Sequence, residues 1–171
     1  MIQINETLSL RKPTYADVQA LIEIKNNKES ALLLGGVISK PYTEVSIKEW
    51  IDFHNNRDDE DLFLICDNGV PIGHIGLYKI NKQSHNAEIG ILIGSPNLHG
   101  KGYGRQSTKA LTEFGFKELG LHKITALVLE ENIASCKMFE KCGYKQEGLL
   151  IDKTFKNERY YNVVVLSIVD K

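Results

Sequence analysis

The chain has 171 residues, with 21 Lys plus Arg against 22 Asp plus Glu, a formal net charge of −1, and 42% hydrophobic residues. These are ordinary values for a soluble globular chain of one domain. They argue against a nucleic-acid binder that works by broad phosphate neutralisation, and no apolar run approaches the ~18 residues of a membrane span. The opening MIQINETLSLRK lacks the charged-then-apolar order of an export signal. Cys66, Cys136 and Cys142 form no CxxC pair and fit free thiols in a reducing compartment, so the expected location is cytoplasmic.

Leu8–Arg11 reads as a short strand. Thr14 is an expected helix N-cap, with Asp17 three residues on and Val18, Leu21, Ile22 and Lys25 along one face. Ser46 and Glu49 give a capping-box spacing for a second helix whose buried stripe is Ile47, Trp50 and Ile51. Between the two, Leu32 to Tyr42 holds Gly35-Gly36 and Pro41 and is expected to be a loop. Leu62–Cys66 ends at Asp67-Asn68-Gly69, a tight-turn signal, and Val70–Ile80 resumes as its antiparallel partner. Ala87–Ile93 is a third central strand. A helix then follows the glycines at 100 to 104, with Arg105, Lys109, Glu113 and Lys117 as its polar face and Gly120 as its cap. Ile124–Leu129 is a strand, Ile133–Lys141 a helix, and Tyr144–Phe155 with Tyr160–Val169 a closing hairpin. Mixed α/β with a partly antiparallel sheet follows from that order.

The most informative stretch runs from Ile91 to Arg105, where a strand leads through Gly100, Gly102 and Gly104 directly into a helix. Backbone N–H groups at a helix start favour an anion, and glycine lets the backbone approach it closely. Two phosphate motifs fail here. Gly94 to Gly100-Lys101 has the wrong spacing for a Walker loop, and Gly102 stands where its hydroxyl residue belongs. GxGxG is also not the GxGxxG of a dinucleotide fold.

The turn His99-Gly100-Lys101-Gly102-Tyr103-Gly104 resembles the acetyl-CoA loop of the GNAT acetyltransferases, with His99 where that family usually has Gln or Arg. A second block, Asn132 to Tyr144, is similar to the family's following helix. The tail from Glu147-Gly148-Leu149 to Asn157-Glu158-Arg159-Tyr160 resembles the ribosomal-protein and spermidine acetyltransferases within it. The resemblance covers Leu8 to Val169. It implies a single domain over 8–169 with the GNAT fold, an α/β architecture in which a mostly antiparallel central sheet of about seven strands is flanked by about four helices.

The resemblance also implies an acetyl-CoA-dependent N-acetyltransferase that uses no metal. The cofactor's pyrophosphate is expected on the N–H groups of Gly100, Lys101, Gly102, Tyr103, Gly104 and Arg105. Its pantetheine arm is expected along Leu92, Ile93 and Gly94, one of whose N–H groups takes the oxyanion, with Asn132 and Phe139 also in contact with the arm. Lys101, Arg105, Lys109, Lys117 and Lys123 against Glu113 and Glu118 make this segment basic, as an anionic cofactor requires. Glu88 is the expected base for the acceptor amine, directly or through a water. Many family members have Tyr as general acid where this chain has Phe139, so Ser135 is the expected substitute donor to the leaving sulfur. The implied acceptor is a protein N-terminal α-amine or a small amine such as a polyamine, and Arg57 to Asp61, net −3, would attract a cationic one. The replacement at Phe139 favours the competing reading, a non-catalytic CoA-binding or sensing module of the same fold. A homodimer is common in the family; no nucleic-acid or membrane partner is expected.

Overall fold

In the computed structural model, which describes residues 1–33 and 40–171, one sheet runs through the molecule in the strand order β1-β2-β3-β4-β5-β6-β8-β7. The strands are β1 (Ile2–Gln3), β2 (Leu8–Arg11), β3 (Asp61–Asp67), β4 (Val70–Asn81), β5 (Asn86–Ile93), β6 (Lys123–Leu129), β7 (Lys145–Lys156) and β8 (Arg159–Val169). The helices are α1 (Val18–Lys25), α2 (Lys28–Leu33), α3 (Glu44–Asn55), α4 (Tyr103–Lys117) and α5 (Ile133–Lys141). Every strand pair is antiparallel except β5 with β6. The expected mixed, mostly antiparallel sheet is present, with eight strands among the described residues rather than seven and five α-helices rather than four.

Strand β3 shows why the centre reads as a continuous apolar run. Phe63 and Ile65 pack with Leu111 of α4 on one side, while Leu64 and Cys66 pack with Val18, Leu21, Ile47 and Ile51 on the other. A strand buried on both faces has no polar face to alternate with. The far end of the sheet differs, because α5 covers one face only and Leu127 of β6 stays 45% exposed.

Three expectations shift. Helix α2 is absent from the expected elements: Asn27 accepts the Ser30 N–H at 2.9 Å at its start, and the helix runs into the first two residues of the expected Leu32 to Tyr42 loop. Residues 34 to 39 of that expected loop lie outside the described residues. Helix α3 begins a turn earlier than the Ser46–Glu49 spacing implies. Its cap is Thr43, whose hydroxyl accepts the Ser46 N–H at 3.3 Å, while the Ser46 hydroxyl accepts the Thr43 N–H at 2.8 Å. Two overlapping capping patterns competed, and the upstream one prevails. At Thr14 the expected cap is real, but a 3₁₀ turn (Tyr15–Asp17) precedes α1. The Asp17 carboxylate accepts both the Thr14 N–H and a two-pronged bond from Arg11.

Candidate active site

Strands β5 and β6 pair only from Asn86–Lys123 to Ile89–Ala126 and then part. Beyond that point β5 remains bonded to β4 and β6 to β8, so their facing edges border a gap. Gly94 donates its N–H to the Ile72 carbonyl at 2.8 Å. Alternation along the strand therefore turns the N–H groups of Ile91 and Ile93 toward the gap, while that of Gly94 is already used. This narrows the expected oxyanion donor in Leu92–Gly94 to Ile93. Gly94 keeps another role, since a Cβ there would lie 2.6 Å from Ile24 of α1.

An outer cleft of about 530 Å³ opens at the mouth of this gap. Its floor is Ile91, Leu92 and Ile93, and its head is the glycine turn. Gly102 caps α4 at φ 86°, a left-handed conformation that a side chain resists. The first intrahelical bond runs from the Gln106 N–H to the Gly102 carbonyl. The N–H groups of Tyr103, Gly104 and Arg105 consequently have no helical acceptor and form the positive end of the helix. Arg105, Lys137 and Lys141 flank the cleft, and none has an ion-pair partner among the described residues.

The structure brings most of the expected cofactor residues together. Leu92, Ile93, Gly100, Gly102, Tyr103, Gly104, Arg105, Asn132 and Ser135 line the outer cleft. Lys101 is exposed on the turn and Gly94 sits against α1; neither lines it. Asn132 caps α5 by accepting the Ser135 N–H at 3.1 Å, which fixes both residues at the mouth.

Phe139 is 2% exposed, edge-on to Tyr144 with ring centroids 5.0 Å apart, and it lines a second, inner compartment of about 240 Å³. Gly90, Leu127, Leu129 and Val163 wall this compartment, and Lys153, Thr154 and Lys156 of β7 border it. Ile91, Asn132 and Ser135 line both spaces, so the two meet at the strand gap. The Tyr144 and Tyr103 hydroxyls are engaged elsewhere. Tyr144 shares a hydrogen bond with Thr112 at 2.8 Å, and burial holds its phenol well above the usual range. Tyr103 donates to Asp67 at 2.8 Å.

Glu88 lines neither compartment. It faces Tyr78 across β4 and Thr125 across β6, and Lys79 Nζ grips both its oxygens at 2.9 and 3.0 Å. Its neighbours Ile89 and Gly90 do line the inner space. The acidic run is paired only in part: Arg57 bridges Asp59 and Glu60, His54 lies 2.6 Å from Glu60, and Lys12 binds Asp61, so two cations, Arg57 and Lys12, face four carboxylates.

Sequence reasoning missed Ser30, whose buried hydroxyl lines the outer cleft with no partner among the described residues. No local pattern marks it, because α2 places it there. Lys137 and Lys141 were also missed, although Ala134, Lys137, Met138 and Lys141 have the spacing of one helical face.

A family profile described as "Acetyltransferase (GNAT) domain" matches residues 7–145. The chain belongs to the GNAT acetyltransferase family. It is 30% identical over 162 residues to a spermidine N(1)-acetyltransferase of Vibrio cholerae serotype O1, covering 94% of this chain and 91% of that one. The Escherichia coli K12 spermidine N(1)-acetyltransferase is 28% identical, covering 95% and 86%. Among solved structures, the Vibrio cholerae enzyme in complex with CoA and spermine superposes with a TM-score of 0.84 at 29% identity, covering 96% of each chain. A probable acetyltransferase superposes with a TM-score of 0.89 at 21% identity, a likeness of fold, over 99% of this chain and 96% of that one. This GNAT member is thus an acetyl-CoA-dependent N-acetyltransferase.

The residues present fit that cosubstrate. The unpaired N–H groups at the start of α4 suit a pyrophosphate, the open β5 edge suits the amides of an extended arm, and the Ser30 hydroxyl has its bonding capacity free.

Proposed function

We propose that this protein transfers acetyl from acetyl-CoA to a primary amine by direct attack in a ternary complex, with 8–169 acting as one catalytic domain. The supporting observation is the meeting of the outer and inner compartments at Ile91, Asn132 and Ser135. Acetyl-CoA, when bound, supplies the thioester that the amine attacks. The chain's part is to hold the reactants on opposite sides of one gap.

Tyr103, Gly104 and Arg105 N–H groups bind the phosphates, with Gly100 and Gly102 shaping the turn and Lys101 adding charge. The Ile93 N–H is the donor for the developing oxyanion, since it is directed at the gap. Ser135 delivers the proton to the departing sulfur. A thiol of pKa ~8.5 leaves with little help, so Phe139 in place of a general acid costs toward the lower end of the ~10²–10⁴-fold range. Phe139 instead packs the inner end of the arm's channel. An amine of pKa ~10 must lose a proton before attack. Glu88 accepts it through water reaching past Gly90, with Lys79 holding the carboxylate in place.

The edge strand β7 exposes Leu149, Leu150, Ile151 and Phe155. Such an edge favours pairing with a second copy, which supports a homodimer.

The test is CoA release from acetyl-CoA across a panel of primary amines. Turnover that falls ~10–100-fold in Glu88→Gln and several-fold in Ser135→Ala, with CoA affinity kept, supports the reading. Tight CoA binding with no turnover on any amine, and silent variants at both positions, overturns it.

A further inference from the structure

The inner compartment carries a charge signature that the reading above leaves open. None of its lining residues among those described is acidic, whereas Lys153 and Lys156 are cationic. Lys153 has no carboxylate partner among the described residues. Four carboxylates on or beside the neighbouring strands are engaged with other side chains. Glu88 is held by Lys79, Glu131 by Arg159 at 2.9 Å and Glu147 by Lys123 at 2.7 Å, while Glu130 accepts from Asn162 at 2.8 Å. Asp152, beside Lys153, does not line the space. The sequence from Leu32 to Ser39 contains no acidic residue.

A second observation concerns the helices on the far side of β5. Aromatic faces are the other means of holding an organic cation. Tyr42 and Trp50 form such a pair, but the chain's own Lys25 fills it, with Nζ 4.7 and 4.4 Å from the two ring centroids. Lys25 follows Ile24, which packs against Gly94, and Trp50 leans on His74, the cross-strand partner of Leu92 in the outer cleft. The cation-binding feature beside the cleft is therefore self-occupied, and in the acidic run Asp59 and Glu60 share Arg57 while Asp61 binds Lys12.

We infer that the acceptor is a primary amine that also bears an anionic group, a carboxylate or a phosphate, held by Lys153 while the amine points into the gap, and that polyamines are disfavoured. This rests on the inner compartment being the acceptor side. A like charge at an enclosed mouth opposes entry, and an opposite one both steers and orients. Gly90, Leu127, Leu129 and Val163 add apolar walls for the carbon skeleton between the two groups.

The experiment uses matched amines: β-alanine against propylamine, O-phosphoethanolamine against ethanolamine, and spermidine. Both kcat/KM and equilibrium binding to the CoA-loaded protein are measured for the native chain, Lys153→Glu and Lys153→Ala. The expected result is that at least one anionic amine exceeds its neutral match at least tenfold. That preference shrinks at least tenfold in Lys153→Glu, where spermidine improves, while the KM for acetyl-CoA stays within about threefold. The carboxylate and phosphate pairs separate the two anion types. Spermidine preferred by the native chain, or Lys153→Glu changing all amines alike, overturns the inference. Lys153-dependent binding of an anionic amine without turnover leaves the inference standing and removes the catalytic reading instead; no preference in either readout removes the inference.

Discussion

The two compartments that meet at the β5–β6 gap are built from different parts of the chain. The outer one offers backbone groups, namely N–H groups at a helix start, a glycine turn and an open strand edge, beside side chains of α2, α4 and α5. The inner one is made of side chains drawn from β5, β6, α5, β7 and β8. A backbone site recognises what every substrate pair shares, and a side-chain site recognises what differs. The proposed function gives the cosubstrate to the first and acceptor choice to the second.

The largest effect expected from breaking the contrast is at the inner wall. Leu129→Trp fills part of a space of about 240 Å³. It is expected to lower kcat/KM for the acceptor by ~10²-fold, as a steric block to near-attack geometry does, while CoA affinity by calorimetry changes little. Equal loss of both would merge the compartments into one.

The complementary change is Gly102→Ala. A side chain at φ 86° costs ~1–2 kcal/mol, which raises the KM for acetyl-CoA roughly 5- to 30-fold if that strain falls on the cradle, with the acceptor KM unmoved. Steady-state kinetics with both substrates varied reads this directly.

Stability gives a smaller probe of the face behind β5. Both ring nitrogens of His74 are buried without a hydrogen-bond partner among the described residues, and burial, with the nearby charges of Lys25 and His54, pushes its pKa down to about 3 from 6.5. The folded state thus refuses a proton that the unfolded state accepts below pH 6.5. Stability should fall as pH drops from 6.5 toward 3, by up to ~1.4 kcal/mol per pH unit from this group. His74→Leu should flatten that limb in denaturant titrations. Lys25 works in the other range, because burial holds its ammonium near 8 rather than 10.5. Lys25→Met should raise Tm at pH 7, and the gain should fade between pH 8 and 10.5 as the native lysine loses its proton in the unfolded state too. A gain independent of pH would mean that charge burial is not its source.

The same contrast explains what could be read in advance. The outer compartment was legible because its elements are contiguous. Gly100 and Gly102 follow the strand and lead into the helix that Gly102 caps, with Gly104 in its first turn, an order that suits an anion site. The central strands were legible because Leu62–Cys66 is apolar on both faces. The inner compartment was not legible, since Lys153 and Lys156 reach it only through the β6-β8-β7 order, which no local pattern encodes. Ser30 escaped for the same reason, being placed by a short helix whose start depends on Asn27. Glu88 shows the reverse case. The family resemblance selected it, yet the fold pairs it with Lys79 outside both spaces.

The most direct test of the central claim is two-substrate steady-state kinetics on the native protein beside Gly102→Ala and Leu129→Trp, with thiol release from acetyl-CoA as the readout. The account predicts amine-dependent release, with Gly102→Ala moving only the acetyl-CoA KM and Leu129→Trp only the acceptor terms. Release that is independent of amine, or variants that move both substrates together, would contradict it.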